Sequence, residues 1–356
     1  MIMKKTVIYC LLLLLAGTML HQCKPIDLTA DYKDITVTYG LLNVADDIHY
    51  FKVYRGFLTD GNAYEAAGEW DNIYYPVDSI EVRLEEYQNG QLKRSAVLDT
   101  TTAVLKEEGY FPKPKQLLYY SEWQLDDECT YRLVIHRNST GEEVYAETLM
   151  VHNFSIIRPK VSWNMNLNQP YKMQFYSAEN AAMYDVFLTF YYIEVNNSTG
   201  EIEHKQLTRR LNGDYIRASS GSEVIYSGFT PESFFNTFIQ RIETKPGVTR
   251  YIDAVDNQPY YCMRLTVWAG DKNYLTYREV ATPSSSIVQN NQEYTNFISE
   301  DESAYGLVAS RNYSYTDLMM DYTFGHNEDT LVKSARTRRL NFDYYRNSPE
   351  FVEVNQ

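Results

Sequence analysis

The chain has 356 residues, 33 basic and 47 acidic side chains and a formal net charge of −14. That balance excludes nucleic-acid binding through phosphates and adhesion to anionic lipid headgroups by charge. The length exceeds one small domain and suggests two or three.

The chain opens with Lys4 and Lys5, followed by an almost wholly apolar run of 14 residues from Val7 to Leu20. That length suits a signal-peptide core and is short for a membrane span, which needs roughly 20 residues. The run ends in Leu20-His21-Gln22-Cys23, the pattern of a bacterial lipoprotein signal. Residues 1–22 are therefore expected to be removed and Cys23 to take the lipid. Two or three acyl chains, at about 0.8 kcal/mol per buried CH₂, would hold the protein on a bilayer. Removal leaves 31 basic against 47 acidic residues, a net charge of −16. Cys10 leaves with the signal, so Cys129 and Cys262 remain. They lie far apart in sequence, and buried unpaired thiols are expected over a disulfide, although the compartment would permit one.

Residues 23–34 form a polar tether. A first domain is expected over 35–152. Strands are predicted at Ile35–Leu42 and His49–Tyr54, separated by a polar excursion from Ser79–Tyr87, where Ile80, Val82 and Leu84 alternate with Glu81, Arg83 and Glu85. Asn89-Gly90 follows, a dipeptide suited to the positive φ angles of a tight hairpin. Leu125 then stands six residues before Tyr131, which starts the alternating run Tyr131–Ile135. This resembles the tyrosine corner of fibronectin type III and immunoglobulin-like sandwiches, whose hydroxyl bonds to backbone just upstream. Asn138–Gly141 turns the chain into a return strand.

A second domain is expected over 160–283. Its strands are predicted at 160–166, Tyr184–Glu194, Glu203–Leu211, Tyr260–Trp268 and Tyr274–Val280, and Asn197–Gly200 repeats the earlier Asn-Ser-Thr-Gly turn. A helix is predicted over 230–242, with Thr230 as N-cap, Pro231 at its first position and Phe234, Phe235, Phe238, Ile239 and Ile242 on one stripe. Residues 284–356 form an extension: Tyr294–Phe297 and Tyr305–Arg311 return a strand to a sheet, and the end, from Arg339, is expected to be extended. The fold class is thus mainly β, with two tandem immunoglobulin/fibronectin III-like sandwich domains, the second carrying an inserted amphipathic helix.

The 33 tyrosines include doublets at 74–75, 119–120, 191–192, 260–261 and 344–345. In a strand, neighbours point to opposite faces, so each doublet would place one ring in the core and one outside. β-propensity accounts for most of this richness. The functional alternative is a tyrosine-rich outer face for sugars or protein partners.

Together, the lipid box, the Tyr131-led strand and the segments Tyr294-Thr-Asn296-Phe297 and Gly306-Leu-Val-Ala-Ser310 resemble a family of uncharacterised outer-membrane lipoproteins of the Bacteroidetes group. The resemblance implies an N-terminal immunoglobulin-like domain and an envelope location, on the cell surface or the periplasmic face. It transfers no catalytic residue. The same group O-glycosylates Asp-Ser/Thr-apolar/Thr tripeptides, which makes Ser79, Thr100 and Thr330 candidate acceptors.

The mature histidines are His49, His136, His152, His204 and His326, none paired at i, i+4, and there is no HExxH, GxSxG or CxxC. No catalytic residue, metal site or cofactor is expected. Trp70, Tyr74 and Tyr75 in the polar excursion are candidate glycan or partner contacts, followed by Trp123 and Trp163. The expectation is a non-enzymatic, lipid-anchored envelope protein that binds an outer-membrane receptor or polysaccharide. The alternative is a fimbrial or adhesin-type structural subunit polymerising by strand donation.

Overall fold

The computed structural model describes residues 33–59, 61–76, 78–106, 114–159, 171–218, 224–229, 231–258, 260–281, 294–319 and 328–354. The signal segment, Cys23, Thr230, Trp163, His326 and the strand expected over 160–166 lie outside them.

The described chain is mainly β. It begins with β1 (Thr36–Leu42) and β2 (His49–Arg55). Two one-turn helices, α1 (Ala63–Ala66) and α2 (Trp70–Ile73), lie in the polar excursion. Then come β3 (Ile80–Gln88), β4 (Gln91–Val97), β5 (Asp99–Thr101) and β6 (Leu118–Ser121). They are followed by β7 (Thr130–Arg137), β8 (Glu143–Leu149), β9 (Ile156–Arg158) and β10 (Tyr171–Tyr176). The long β11 (Met183–Asn196) leads to β12 (Ile202–Arg210), β13 (Ile216–Arg217) and β14 (Val224–Phe229). Helix α3 (Pro231–Arg241), β15 (Val248–Ile252), β16 (Tyr261–Gly270) and α4 (Lys272–Ala281) come next. The chain closes with β17 (Phe297–Ile298), β18 (Ala304–Met319), α5 (Glu328–Lys333) and α6 (Pro349–Val354).

These strands form three sheets. A ten-stranded sheet runs β12-β11-β16-β18-β1-β2-β6-β5, with β13 and β15 also paired to β11. A five-stranded sheet runs β17-β8-β7-β3-β4, and a three-stranded sheet runs β14-β10-β9. The five-stranded sheet supplies Val82, Leu84, Leu133, Ile135 and Val144 to one core, against Leu42, Phe51, Val53 and Val308 of the long sheet. The three-stranded sheet supplies Met173, Phe175 and Ile225 to a second core, joined by Phe238 and Ile242 from α3 and its exit. Each fully buried aliphatic or aromatic side chain contributes about 1.5–3 kcal/mol.

Strand β18 belongs to both halves. Its first seven residues pair in parallel with β1, Thr36↔Ala304 through Leu42↔Ser310. Its remainder pairs antiparallel with β16, including Trp268↔Tyr313 and Gly270↔Arg311. Ala304 and Val308 enter the first core and Leu318 the second. All three are even-numbered, so they share one face of the strand. Both smaller sheets therefore cover the same face of the long sheet, and its other face looks outward.

Local signals behave as physical chemistry requires. Asn89 and Gly90 take φ of 52° and 77° and close the β3–β4 hairpin. Gly141 and Gly200 take φ of 73° and 75°, and each N–H donates at 2.8 Å to a carbonyl four residues back, on Arg137 and Asn196. The two Asn-Ser-Thr-Gly turns are thus the same turn. Tyr131 is fully buried at the entry to β7. Its hydroxyl accepts the Asp126 N–H at 2.8 Å and donates to Glu86 at 2.7 Å. Tyr184 repeats the arrangement at the entry to β11, accepting the Ala178 N–H at 2.8 Å. Cys129 and Cys262 are buried in different cores and are not joined by a disulfide.

Two expectations from the sequence are corrected. The segment Tyr274–Val280 is not a strand but most of helix α4. The Asp271 carboxylate accepts the Tyr274 N–H at 2.8 Å, capping the helix and overriding the short alternation. The end of the chain is not extended. Leu340, Phe342 and Tyr345 are buried in the second core, on 3₁₀ turns at Arg338–Leu340 and Tyr345–Asn347 and the bridge between them. Arg250, fully buried, holds this end. Its guanidinium donates to the Leu340 carbonyl at 2.6 Å and to Glu194 at 2.7 and 2.9 Å.

Candidate functional site

The residues singled out from the sequence are scattered. Tyr74 and Tyr75 are 1% and 5% exposed and belong to the first core, which removes them as surface contacts. Tyr75 shares a hydrogen bond of 2.8 Å with the Thr36 hydroxyl, and burial pushes its phenol up to about 12. The excursion carrying these rings folds back because Trp70, on α2, packs against Tyr74 at 4.2 Å between centroids. Trp70 and Trp123 are half-buried. The Arg94 guanidinium covers the Trp123 ring at 4.0 Å, and Lys115 stands over Trp70 at 5.5 Å. These four aromatics therefore pack on the first core and do not converge on one platform. Among the candidate acceptors, Thr100 is exposed on edge strand β5. Ser79 is half-buried and donates to the Pro76 carbonyl at 2.7 Å, and Thr330 is half-buried on α5.

The C-terminal segment 294–310 is a joint. The Asn296 side chain pairs with the Val308 backbone at 2.7 and 3.0 Å, as a neighbouring strand would. Phe297 enters the first core. Gly306 sits at φ 120°, and a Cβ there would lie 1.9 Å from the Thr38 carbonyl oxygen. The Ser310 hydroxyl donates to Leu149 and accepts from the Val151 N–H at 2.6 and 3.1 Å. Beside it, Asp271 accepts the Thr148 hydroxyl at 2.7 Å. Burial pushes the Asp271 carboxyl up to about 6. These residues stitch the two halves together.

The strongest concentration of recognition chemistry lies on the outward face of the long sheet, in its second half. Alternation on β16 and β18 sends Arg264, Thr266 and Trp268 outward beside Arg311, Tyr313, Tyr315 and Asp317. Register then brings them together. Trp268 and Tyr313 are direct cross-strand neighbours with centroids 4.7 Å apart, and Tyr315 stacks 6.4 Å beyond Tyr313. Arg311 lies over the Trp268 ring at 4.6 Å, and Arg264 over Tyr315 at 4.2 Å. Cross-strand aromatic pairs stabilise a sheet by about 0.2–1 kcal/mol each, so part of this ladder is structural.

Charge distinguishes the members. Arg264 is neutralised by Asp317 at 2.7 Å and Asp256 at 2.7 Å, which hold its guanidinium above its ordinary range. Arg311 has no carboxylate partner among the described residues, and its buried Nε makes no hydrogen bond there. A cation lying on an indole beside two tyrosines, one of them 48% exposed, can stack a sugar ring and meet an acidic substituent. Sequence reasoning passed over Trp268. The usable signal was the alternation Arg311, Tyr313, Tyr315, but only the strand register places Trp268 next to it.

No family model matches the chain, and no curated protein matches it. Among solved structures, one similar chain is the C-terminal globular domain of an oligosaccharyltransferase from Pyrococcus abyssi. It is 11% identical with a TM-score of 0.24, and the match covers 57% of this chain and 39% of that one. A likeness that slight carries no argument about function.

Proposed function

We propose that this protein is a non-enzymatic, lipid-anchored envelope protein that holds two immunoglobulin/fibronectin III-like sandwiches over the outer membrane and binds an acidic polysaccharide. The observation that carries the reading is the Trp268–Tyr313–Tyr315 ladder with Arg311 upon it, paired with no carboxylate among the described residues. The repeated tyrosine corners at Tyr131 and Tyr184 support the sandwich assignment, since each pins the loop before a central strand to the strand's first ring. The Leu20–Cys23 box supports the anchor, and with a net charge of −14 an acidic partner would be met locally at Arg311 and not through the whole surface. An outer-membrane receptor bearing such a glycan is the natural macromolecular setting.

The test is titration of the protein with uronate-bearing and with neutral polysaccharides, followed by calorimetry and tryptophan fluorescence. The acidic polymer should bind, the neutral one at least about tenfold more weakly, a difference of ~1.4 kcal/mol. Trp268→Ala and Arg311→Gln should each abolish that preference. A double variant that still binds the acidic polymer as tightly as wild type, and in preference to the neutral one, would sink the proposal.

A further inference from the structure

The two tyrosine-corner loops meet at a place the polysaccharide reading does not use. Asp127 and Glu128 lie in the loop before β7, in the first sandwich. Glu179 lies in the corresponding loop before β11, in the second. Between them runs the connecting segment with His152, whose N–H donates to the Glu179 carbonyl at 3.1 Å. The Asn153 N–H leans on Asp127 Oδ2 at 3.4 Å. The His152 imidazole thus stands between carboxylates from both halves. Its Nδ1 is 4.0 Å from Glu128 Oε1 and 3.8 Å from Glu179 Oε2. Ligand atoms of Asp127, Glu128 and His152 all lie within 4.8 Å of one another.

Three observations point to a cation. The Nδ1 distances are too long for hydrogen bonds, so the imidazole is surrounded by acceptors without engaging them. Among the described residues, Asp127, Glu128 and Glu179 form no ion pair with lysine or arginine. The group therefore gathers three carboxylates around one imidazole with no lysine or arginine paired to them among the described residues. Finally, the spacing is close to that of a shared coordination sphere. Ligand atoms at 2.0–2.2 Å from a tetrahedral zinc ion sit about 3.3 Å apart. Glu128 and Glu179 have side chains 70% and 74% exposed, so both can swing the remaining fraction of an ångström inward.

We propose that Asp127, Glu128, His152 and Glu179 form a divalent-cation site that clamps the two halves across their connecting segment. The imidazole nitrogen selects a zinc-like ion over calcium, which prefers oxygen ligands throughout. The other His-carboxylate group, His204 with Asp253 and Glu350, does not offer the same opening. Both its ring nitrogens already face carboxylates, Nδ1 to Asp253 at 2.9 Å and Nε2 to Glu350 at 3.3 Å.

The test is calorimetric titration of the EDTA-treated full chain with Zn²⁺ and, separately, Ca²⁺. One Zn²⁺ should bind per clamp and raise the unfolding temperature. Glu179→Gln, a substitution at an exposed position that leaves the fold intact, should weaken Zn²⁺ at least about tenfold. His152→Ala should remove the site, while His204→Ala should leave it unchanged. Absence of Zn²⁺ binding up to about 1 mM would overturn the proposal. So would affinity unchanged in both Glu179→Gln and His152→Ala, affinity lost in His204→Ala, or Ca²⁺ binding tighter than Zn²⁺.

Discussion

Single residues carry several of the joints, and their chemistry makes them separable. Tyr131 serves two buried partners at once, the Asp126 N–H and the Glu86 carboxylate. Glu86 also receives Arg94 at 2.6 Å and Lys93 at 3.1 Å, and its hydrogen bonds hold it below its ordinary range against the desolvation that pushes it up. Tyr131→Phe would strand the amide and strip one donor from the glutamate, so a loss of about 1–3 kcal/mol is expected in urea unfolding. Tyr184→Phe should cost a similar amount, because it strands the Ala178 N–H. Gly306 is constrained differently. Gly306→Ala would drive a methyl into the Thr38 carbonyl at a φ that L side chains rarely adopt. A loss of at least ~3 kcal/mol, or failure to fold, is the expected result by expression and denaturant midpoint. Asp271 gives a pH signature. Burial raises its folded-state pKa to about 6, above the unfolded carboxyl. The folded protein therefore holds the proton more tightly. That contribution is complete below about pH 4 and is lost as pH rises through 6, up to ~3 kcal/mol. Glu328 is raised in the same direction, so the wild type keeps a residual slope. Asp271→Asn should flatten the difference in urea midpoint between pH 4 and 7, while a slope identical to wild type would refute the assignment.

At the scale of elements, the informative cases are those where two signals compete. The stretch after Gly270 alternates weakly, yet Asp271 caps a helix there, and a satisfied helix N-terminus outweighs a short β pattern. Helix α4 then covers the outward face near β1, with Tyr277 edge-on to Tyr39 at 6.3 Å, and separates the Trp268 ladder from the rest of the sheet. The C-terminal segment looks polar because its apolar residues are sparse, but Leu340, Phe342 and Tyr345 are each buried. Arg250 makes their docking specific by bonding the Leu340 carbonyl and the Glu194 carboxylate. Arg250→Met would leave Glu194 buried with Lys245 alone, at an expected cost of about 3–5 kcal/mol, and should expose this segment to proteolysis first. A variant cut no faster than wild type would show that the segment is held by its apolar contacts alone.

For the whole molecule, β18 is the decisive element, since it is a central strand of both cores. Unfolding either half breaks its pairing in the other. One cooperative transition is therefore expected, with coincident denaturation curves from Trp123 in the first half and Trp268 in the second. Two resolved transitions in single-tryptophan variants would show that the halves are only tethered. The shared strand also ties the proposed binding face to both cores, since both smaller sheets back the same side of it.

Much of this protein is legible in the sequence because the interactions concerned are local. Strand alternation, the Asn89-Gly90 hairpin, the two Asn-Ser-Thr-Gly turns and the corner at Tyr131 all connect residues a few positions apart, so residue type and spacing suffice to write them. The sheet doublets behave as periodicity requires, with Tyr119 and Tyr192 buried and Tyr120 and Tyr191 half-exposed. Tyr74 and Tyr75 break the rule because they lie in no strand, and tertiary contacts bury both. The candidate face, the cation clamp and the joint at Gly306 were not legible. Each depends on pairing offsets between segments tens to hundreds of residues apart, such as Trp268↔Tyr313 and Thr38↔Gly306. A shift of one residue would turn every outward side chain inward, and only the packed cores decide that register.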